Sequence, residues 1–219
     1  MSQQLPLRFR LEGHTRLKDY VGSTASQLQH LQGLILLSGG RGSGKSHLLQ
    51  GLCHEAQEQG RTTMYLASLA SLEASVLDSL ETIDLVCLDD IDAVISRDDW
   101  QRALFHLVNA MKDSGGKLVL SSSRSVADLE VSLADLDSRL KAGFLLSTDQ
   151  LDDEQKFDVI RRKAERRGFE MSDEVCRFIL SRARRDMHHL AQLIEQLDEE
   201  TLRRQKKVTI PFVKQALGL

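Results

Sequence analysis

The chain has 219 residues, 41% hydrophobic and 28% charged, which excludes a disordered protein and allows one large domain or a medium domain with a small companion. Its 29 Lys and Arg against 32 Asp and Glu leave a net charge of −3, so no global field draws it onto nucleic acid and DNA contact would need a local basic patch. Seven Phe, two Tyr and one Trp leave few aromatics for stacking bases, and Cys53, Cys87 and Cys176 lie too far apart for a zinc site or a disulfide framework.

Residues 1–12 read as an extended tail in which Pro6 bars a helix. The tail is polar and has no apolar leader core. No stretch approaches the ~20 apolar residues that span a bilayer, so no membrane contact and a cytoplasmic, reduced location are expected. A turn and a helix over 24–31 follow. The apolar run "GLILLSGG" predicts a buried parallel strand. The next stretch places Leu48, Leu49, Leu52, Cys53 and Ala56 on one helical face and stops near Gly60. "TTMYLA" predicts a second strand, "SLASLEASVLDSL" a helix and "DLVCLDD" a third strand that buries Cys87. "DDWQRALFHLVNAMKDSGG" predicts a helix with Trp100, Ala103, Leu104, Leu107, Val108 and Met111 inward. "KLVLSSS" and "GFLLS" complete a mostly parallel sheet covered on both faces. From about Leu151 the pattern turns helical, over 152–167, 172–184, 186–205 and 211–217, with only "KVTIP" extended. The expected organisation is a tail at 1–12, an α/β domain at 13–150 and a small helical domain at 151–219.

Gly39, Gly40, Arg41, Gly42, Ser43, Gly44, Lys45 and Ser46 fit GxxxxGK[ST], placed after a strand and before a helix as a phosphate-binding loop requires. Glycines let successive backbone N–H groups turn inward onto phosphate oxygens, and the helix start adds its positive dipole end. Lys45 is expected to reach the β- and γ-phosphates of a nucleotide and Ser46 to ligate Mg²⁺. A second carboxylate is needed at a neighbouring strand end, and "LVCLDD" supplies it. Asp89 is the expected Mg²⁺ partner through water, and Asp90 either orients an attacking water or serves as a cap. An Asp where many ATPases carry Glu sets the carboxylate back by about 1 Å, enough to weaken catalysis.

These residues resemble the AAA+ class and, within it, the DnaA family: the bacterial replication initiator and its Hda group of regulators. "LVCLDDIDAV" resembles the acidic strand, "LFHLVNAM" the helix after it, "VLSSSR" the sensor 1 strand and "RGFEMSDEVCRFILSR…DMHHLAQLIEQL" the helical lid. "KVTIPFVKQAL" is similar to the Hda C-terminus. The resemblance covers essentially the whole chain. It implies an α/β, P-loop AAA+ parallel sheet flanked by helices, followed by a small all-helical lid. It implies that Ser122 or Ser123 senses the γ-phosphate, that backbone near Tyr20 and Val21 reads adenine, and that His47 belongs to the nucleotide site. It maps the arginine finger of "LDSRLKAGF" to Arg139 and the sensor 2 position to His188, where the family has arginine. A histidine there is shorter and mostly neutral, so less discrimination against ADP is expected.

The sequence ends at Leu219, directly after the lid pattern, so the initiator's helix-turn-helix and helicase-contact domains are expected to be lacking. Gln4, Leu5, Leu7 and Phe9 in "QLPLRF" match the peptide by which the Hda group binds the sliding clamp, the beta subunit of DNA polymerase III. Packing of that peptide on the chain's own α/β domain is the alternative. The basic run Arg161, Arg162, Lys163, Arg166, Arg167 lies among acids and reads as a solvated or protein-facing surface, with direct DNA contact weak at most. The resemblance therefore implies a regulator that holds ADP, binds the clamp on DNA and stimulates ATP hydrolysis by DnaA, rather than a turnover enzyme. AAA+ modules also pack as homodimers or larger oligomers. The competing readings are a helicase loader or initiator-like DNA-associated ATPase, and a P-loop kinase.

Overall fold

Alternation of side chains along near-continuous apolar strands puts one sheet between two layers of helix. The computed structural model describes residues 15–148, 150–184, 186–205 and 207–218, without the side chain of His188. Two compact units emerge: one takes in the described residues up to 148 apart from 41–43, and the other takes in 41–43 and the described residues from Gln150 onward.

In the first unit, helix α1 (Thr24–His30) leads to strand β1 (Leu34–Ser38) and helix α2 (Lys45–Glu58). Strands β2 (Thr63–Leu66) and β3 (Leu85–Leu88), helix α3 (Asp98–Ser114), strand β4 (Lys117–Ser122), helix α4 (Ala134–Ala142) and strand β5 (Phe144–Ser147) follow. The strands pair in parallel in the order β2-β3-β4-β1-β5. On β1, Ile35 and Leu37 join Leu48, Leu49 and Leu52 of α2 in one core. Leu36 points the other way, into a core with Trp100, Leu104 and Leu136. Period-2 alternation on a sheet buried on both faces explains why this strand reads as an unbroken apolar run.

The segment 68–80 departs from the helix its sequence predicts. It forms short 3₁₀ turns at Leu69–Ser71, Ala74–Leu77 and Leu80–Thr82, and Ser68 and Ser79 adopt left-handed conformations before the first and last of them. Hydroxyls compete for the carbonyls a helix would use: Ser71 Oγ donates to Ser68 O at 2.7 Å and Thr82 Oγ1 to Ser79 O at 3.2 Å. Leu69, Leu77 and Leu80 are buried nonetheless, so the segment packs on the core without a helix.

In the second unit, α5 (Asp153–Arg166), α6 (Asp173–Arg182), α7 (Met187–Arg204) and α8 (Ile210–Leu217) enclose Phe157, Ile160, Cys176, Ile179, Ile194, Leu197 and Val213. Each start has a side-chain cap. Asp152 and Gln155 form a reciprocal capping box, and Ser172, Asp186 and Thr209 accept from Val175, His189 and Phe212 backbone N–H groups. Of "KVTIP", Val208 makes a single parallel bridge to Met171.

Candidate functional site

The carboxyl ends of β1, β3 and β4 carry the polar residues of the candidate site. Gly39 N–H donates to Ser122 O at 3.1 Å, tying the start of the glycine loop to the end of β4. Gly42 and Gly44 take φ of 76° and 91°, which the Cβ of another residue would oppose. A Cβ on Gly44 would also lie 2.9 Å from Tyr20 Cε2. Lys45 Nζ donates to Gly39 O at 2.6 Å and Gly40 O at 3.1 Å, so its ammonium lies over the loop. Ser43 Oγ is buried with no hydrogen-bond partner, a donor the loop itself does not use. Loop, lysine and orphan hydroxyl fit a polyphosphate.

Asp89 follows β3 and is 6% exposed. Both its oxygens accept hydroxyls: Oδ1 from Ser121 Oγ at 2.5 Å and Oδ2 from Tyr65 Oη at 2.7 Å. Gln50 Nε2 of α2 donates to the same phenol at 3.3 Å, and Ser46 is a further hydrogen-bond partner. Burial, then the neighbouring Asp89, raise the Tyr65 pKa, so the phenol stays a donor. Ser46 and Asp89 are a hard-oxygen pair that fits Mg²⁺ beside phosphates. Sequence reasoning missed Tyr65 and Ser121, and the faces they share with Asp89 follow from strand register.

Asp90 sits in the left-handed region at φ 62°, and its N–H donates to Ser121 Oγ at 2.8 Å. Its carboxyl is hydrogen-bonded to Asp92. Partial burial, that bond and the Asp92 and Asp89 charges raise its pKa against the pull of Lys45. Burial works against ionisation of Asp92 too, but the Ser123 amide, Arg124, Ser122 and Asp90 outweigh it and hold that carboxyl low. Of the pair, Asp90 is therefore the carboxyl that takes up a proton more readily. Ser122 faces away from Asp89: its one hydroxyl proton lies between Asp92 Oδ1 at 3.1 Å and Arg124 O at 2.8 Å. Ser123 N–H reaches Asp92 Oδ2 at 2.7 Å, and Arg124 Nε completes the cluster at 3.1 Å.

His47 turns from the loop to the segment before α1, its Nε2 lying 3.0 Å from Arg16 O and its ring 6.4 Å from that of Tyr20. Val21 is half-buried just beyond Tyr20. Arg139 is exposed in the last turn of α4, whose Leu136 and Leu140 are fully buried. It lines a groove of about 440 Å³ with Gly33, Leu34, Gly115, Gly116 and Phe144, at the amino ends of β1 and β4. In the basic run, Arg161 pairs with Asp158 at 3.5 Å and Arg167 with Glu195 at 3.0 Å and Asp198 at 3.1 Å. Gln4, Leu5, Leu7, Phe9 and the side chain of His188 lie outside the described residues. Among the described residues, no helix is long and apolar enough to cross a membrane.

Residues 21–147 match the family model of the bacterial DnaA ATPase domain, and residues 153–217 match that of the Hda lid domain. An uncharacterised protein of Haemophilus influenzae is 39% identical over 233 aligned positions, covering all of both chains. Domain III of the Thermotoga maritima replication initiation protein DnaA superposes with a TM-score of 0.81 at 23% identity, over 95% of this chain and 98% of that one. AMPPCP-bound DnaA from Aquifex aeolicus gives 0.70 at 22% identity, over 89% and 70%. At such identity the two structures attest the fold.

Proposed function

We propose that this chain, which belongs to the family of bacterial DnaA ATPase domains and carries an Hda-type lid, stimulates ATP hydrolysis by the replication initiator DnaA and so prevents re-initiation. The observation that carries the reading is the place of Arg139. The glycine loop leaves the carboxyl end of β1, whereas Arg139 lines a groove at the amino end of the same strand. Five strand residues span about 16 Å, so this guanidinium stands apart from its own phosphate loop, which supports action on a neighbour's nucleotide. A guanidinium set on transition-state charge raises phosphoryl-transfer rates by about 10³–10⁵.

The chain's own site has a different task in this reading. The loop amides and Lys45 would hold the phosphates of ADP, with ATP as the alternative, and Ser46 and Asp89 would hold Mg²⁺. Mg²⁺ supplies charge neutralisation at the phosphates when bound. The Asp90–Asp92 hydrogen bond supports a site that retains nucleotide rather than turning it over, because it engages the carboxyl that would otherwise have to take a proton from water. The tail Gln4-Leu5-Pro6-Leu7-Arg8-Phe9 would dock on the DNA-loaded sliding clamp and bring Arg139 to the initiator. The ion-paired basic run supports at most weak direct contact with DNA. The reading places the protein in the cytoplasm, and AAA+ packing allows it to act as a homodimer or larger oligomer.

Clamp pull-down with the full chain and with residues 1–9 deleted tests the tethering half of the proposal. Binding should vanish with the deletion; retained binding would put the contact elsewhere. Brisk ATP consumption by the chain alone, or stimulated by single-stranded DNA, would favour a loader or initiator-like ATPase instead.

A further inference from the structure

Tyr65 lies on β2 beside Cys87 of β3 and packs, half-buried, against the core beneath α2. Its hydroxyl contacts three residues from two elements: Ser46 and Gln50 on α2, and Asp89 after β3. We propose that Tyr65 is a positioning residue for the divalent cation, presetting Ser46 and Asp89 for Mg²⁺ before the ion arrives; this rests on the reading of those two residues as the metal pair.

The chemistry of a serine ligand supplies the argument. A hydroxyl that gives its lone pair to a cation must send its proton to another acceptor. The phenol oxygen of Tyr65 is that acceptor, because its own proton is committed to Asp89 Oδ2 at 2.7 Å. The bonds then run in one direction, from Ser46 to Tyr65 to Asp89, and leave the outward lone pairs of Ser46 and Asp89 for the metal and its water. Gln50, one helical turn beyond Ser46, holds the phenol oxygen from a second side at 3.3 Å. The ring is fixed by the apolar core, so the bridge does not depend on a mobile side chain. Outer partners of this kind set ligand orientation, and their loss lowers metal affinity by about 10–100-fold.

A fluorescent ADP analogue, titrated into the full chain in excess Mg²⁺ and again in EDTA, tests the proposal. Wild type should bind more tightly in Mg²⁺. Tyr65→Phe keeps the ring, and its gain from Mg²⁺ should shrink by about tenfold while affinity in EDTA stays within about twofold of wild type. Equal loss in both buffers would make Tyr65 a structural residue, and wild-type behaviour in both would make it idle; either overturns the proposal. A wild-type chain with no gain from Mg²⁺ would overturn the metal reading, and the proposal with it. Gln50→Leu removes one donor to the phenol and leaves the contact with Asp89, so its gain should fall by about threefold. This variant carries the test if Tyr65→Phe does not fold, and an unchanged gain in it would then overturn the proposal.

Discussion

Ser121 Oγ stands 2.5 Å from Asp89 Oδ1 and accepts the Asp90 amide proton at 2.8 Å, so one hydroxyl joins the end of β4 to the end of β3. Its neighbour Ser122 projects from the other face of the strand and serves Asp92 and Arg124. The two serines should therefore respond differently to substitution. Ser121→Ala leaves a carboxylate oxygen and an amide short of a partner and should cost about 1–3 kcal/mol in urea unfolding. It should also weaken ADP binding by about tenfold, an effect of the same size as loss of an outer metal partner. Ser122→Ala should leave nucleotide affinity within about twofold, since its hydroxyl serves Asp92 and Arg124 and touches neither Ser46 nor Asp89. Equal effects at both positions would contradict this division.

The difference between those serines marks where the sequence stopped being legible. The loop Gly39–Ser46, the acidic strand end and the helical second unit stand out by spacing alone. "KLVLSSS" offers three hydroxyls in a row, and choosing among them needs the face each one takes. Face follows from register: Leu37 pairs with Ser121 and packs under α2, whereas Ser38 pairs with Ser122. Tyr65 was hidden for the same reason, since nothing in "TTMYLA" says which end of the sheet its hydroxyl reaches. The run at 68–80 was misleading in a different way. Its leucines suit a helix, but its serines have local carbonyls to bond, and those bonds won.

Gly51 offers a competition between propensity and packing. An alanine in the interior of a helix is ordinarily worth about 1 kcal/mol over glycine. Here its Cβ would fall 2.7 Å from the backbone N of Leu17, in the segment laid across α2. Overpacking against a backbone costs about 1–3 kcal/mol, so Gly51→Ala should be net destabilising and should loosen the stretch containing Tyr20. The urea midpoint checks this, and a stabilised variant would contradict it.

Lys117 is buried at the start of β4 and donates to Leu28 O at the end of α1. Burial pulls its pKa down from 10.5 to about 8. Between those two pH values the unfolded chain holds a proton the folded chain has released, so this group makes stability rise with pH. Below about pH 8 both states are protonated and its contribution is flat. Cys87 acts in the opposite sense: burial raises its thiol pKa, so its contribution is lost as pH climbs past the free-thiol value. Because the two groups feel each other's charge, the unfolding free energies of Lys117→Met are subtracted from those of its parent in a Cys87→Ala background, which isolates the lysine. The difference should slope upward from about pH 8 toward 10, and a flat difference would show that Lys117 titrates normally.

The central claim is that Arg139 acts on a nucleotide held by another protein. Its most direct measurement is single-turnover hydrolysis of radiolabelled ATP on DnaA, with DNA-loaded clamp and with either wild-type chain or Arg139→Ala. Wild type should accelerate hydrolysis. The variant should lose at least about a thousandfold of the finger's effect, to the level of DnaA alone, while binding ADP and melting as wild type does. Stimulation by Arg139→Ala equal to that of wild type would contradict the account.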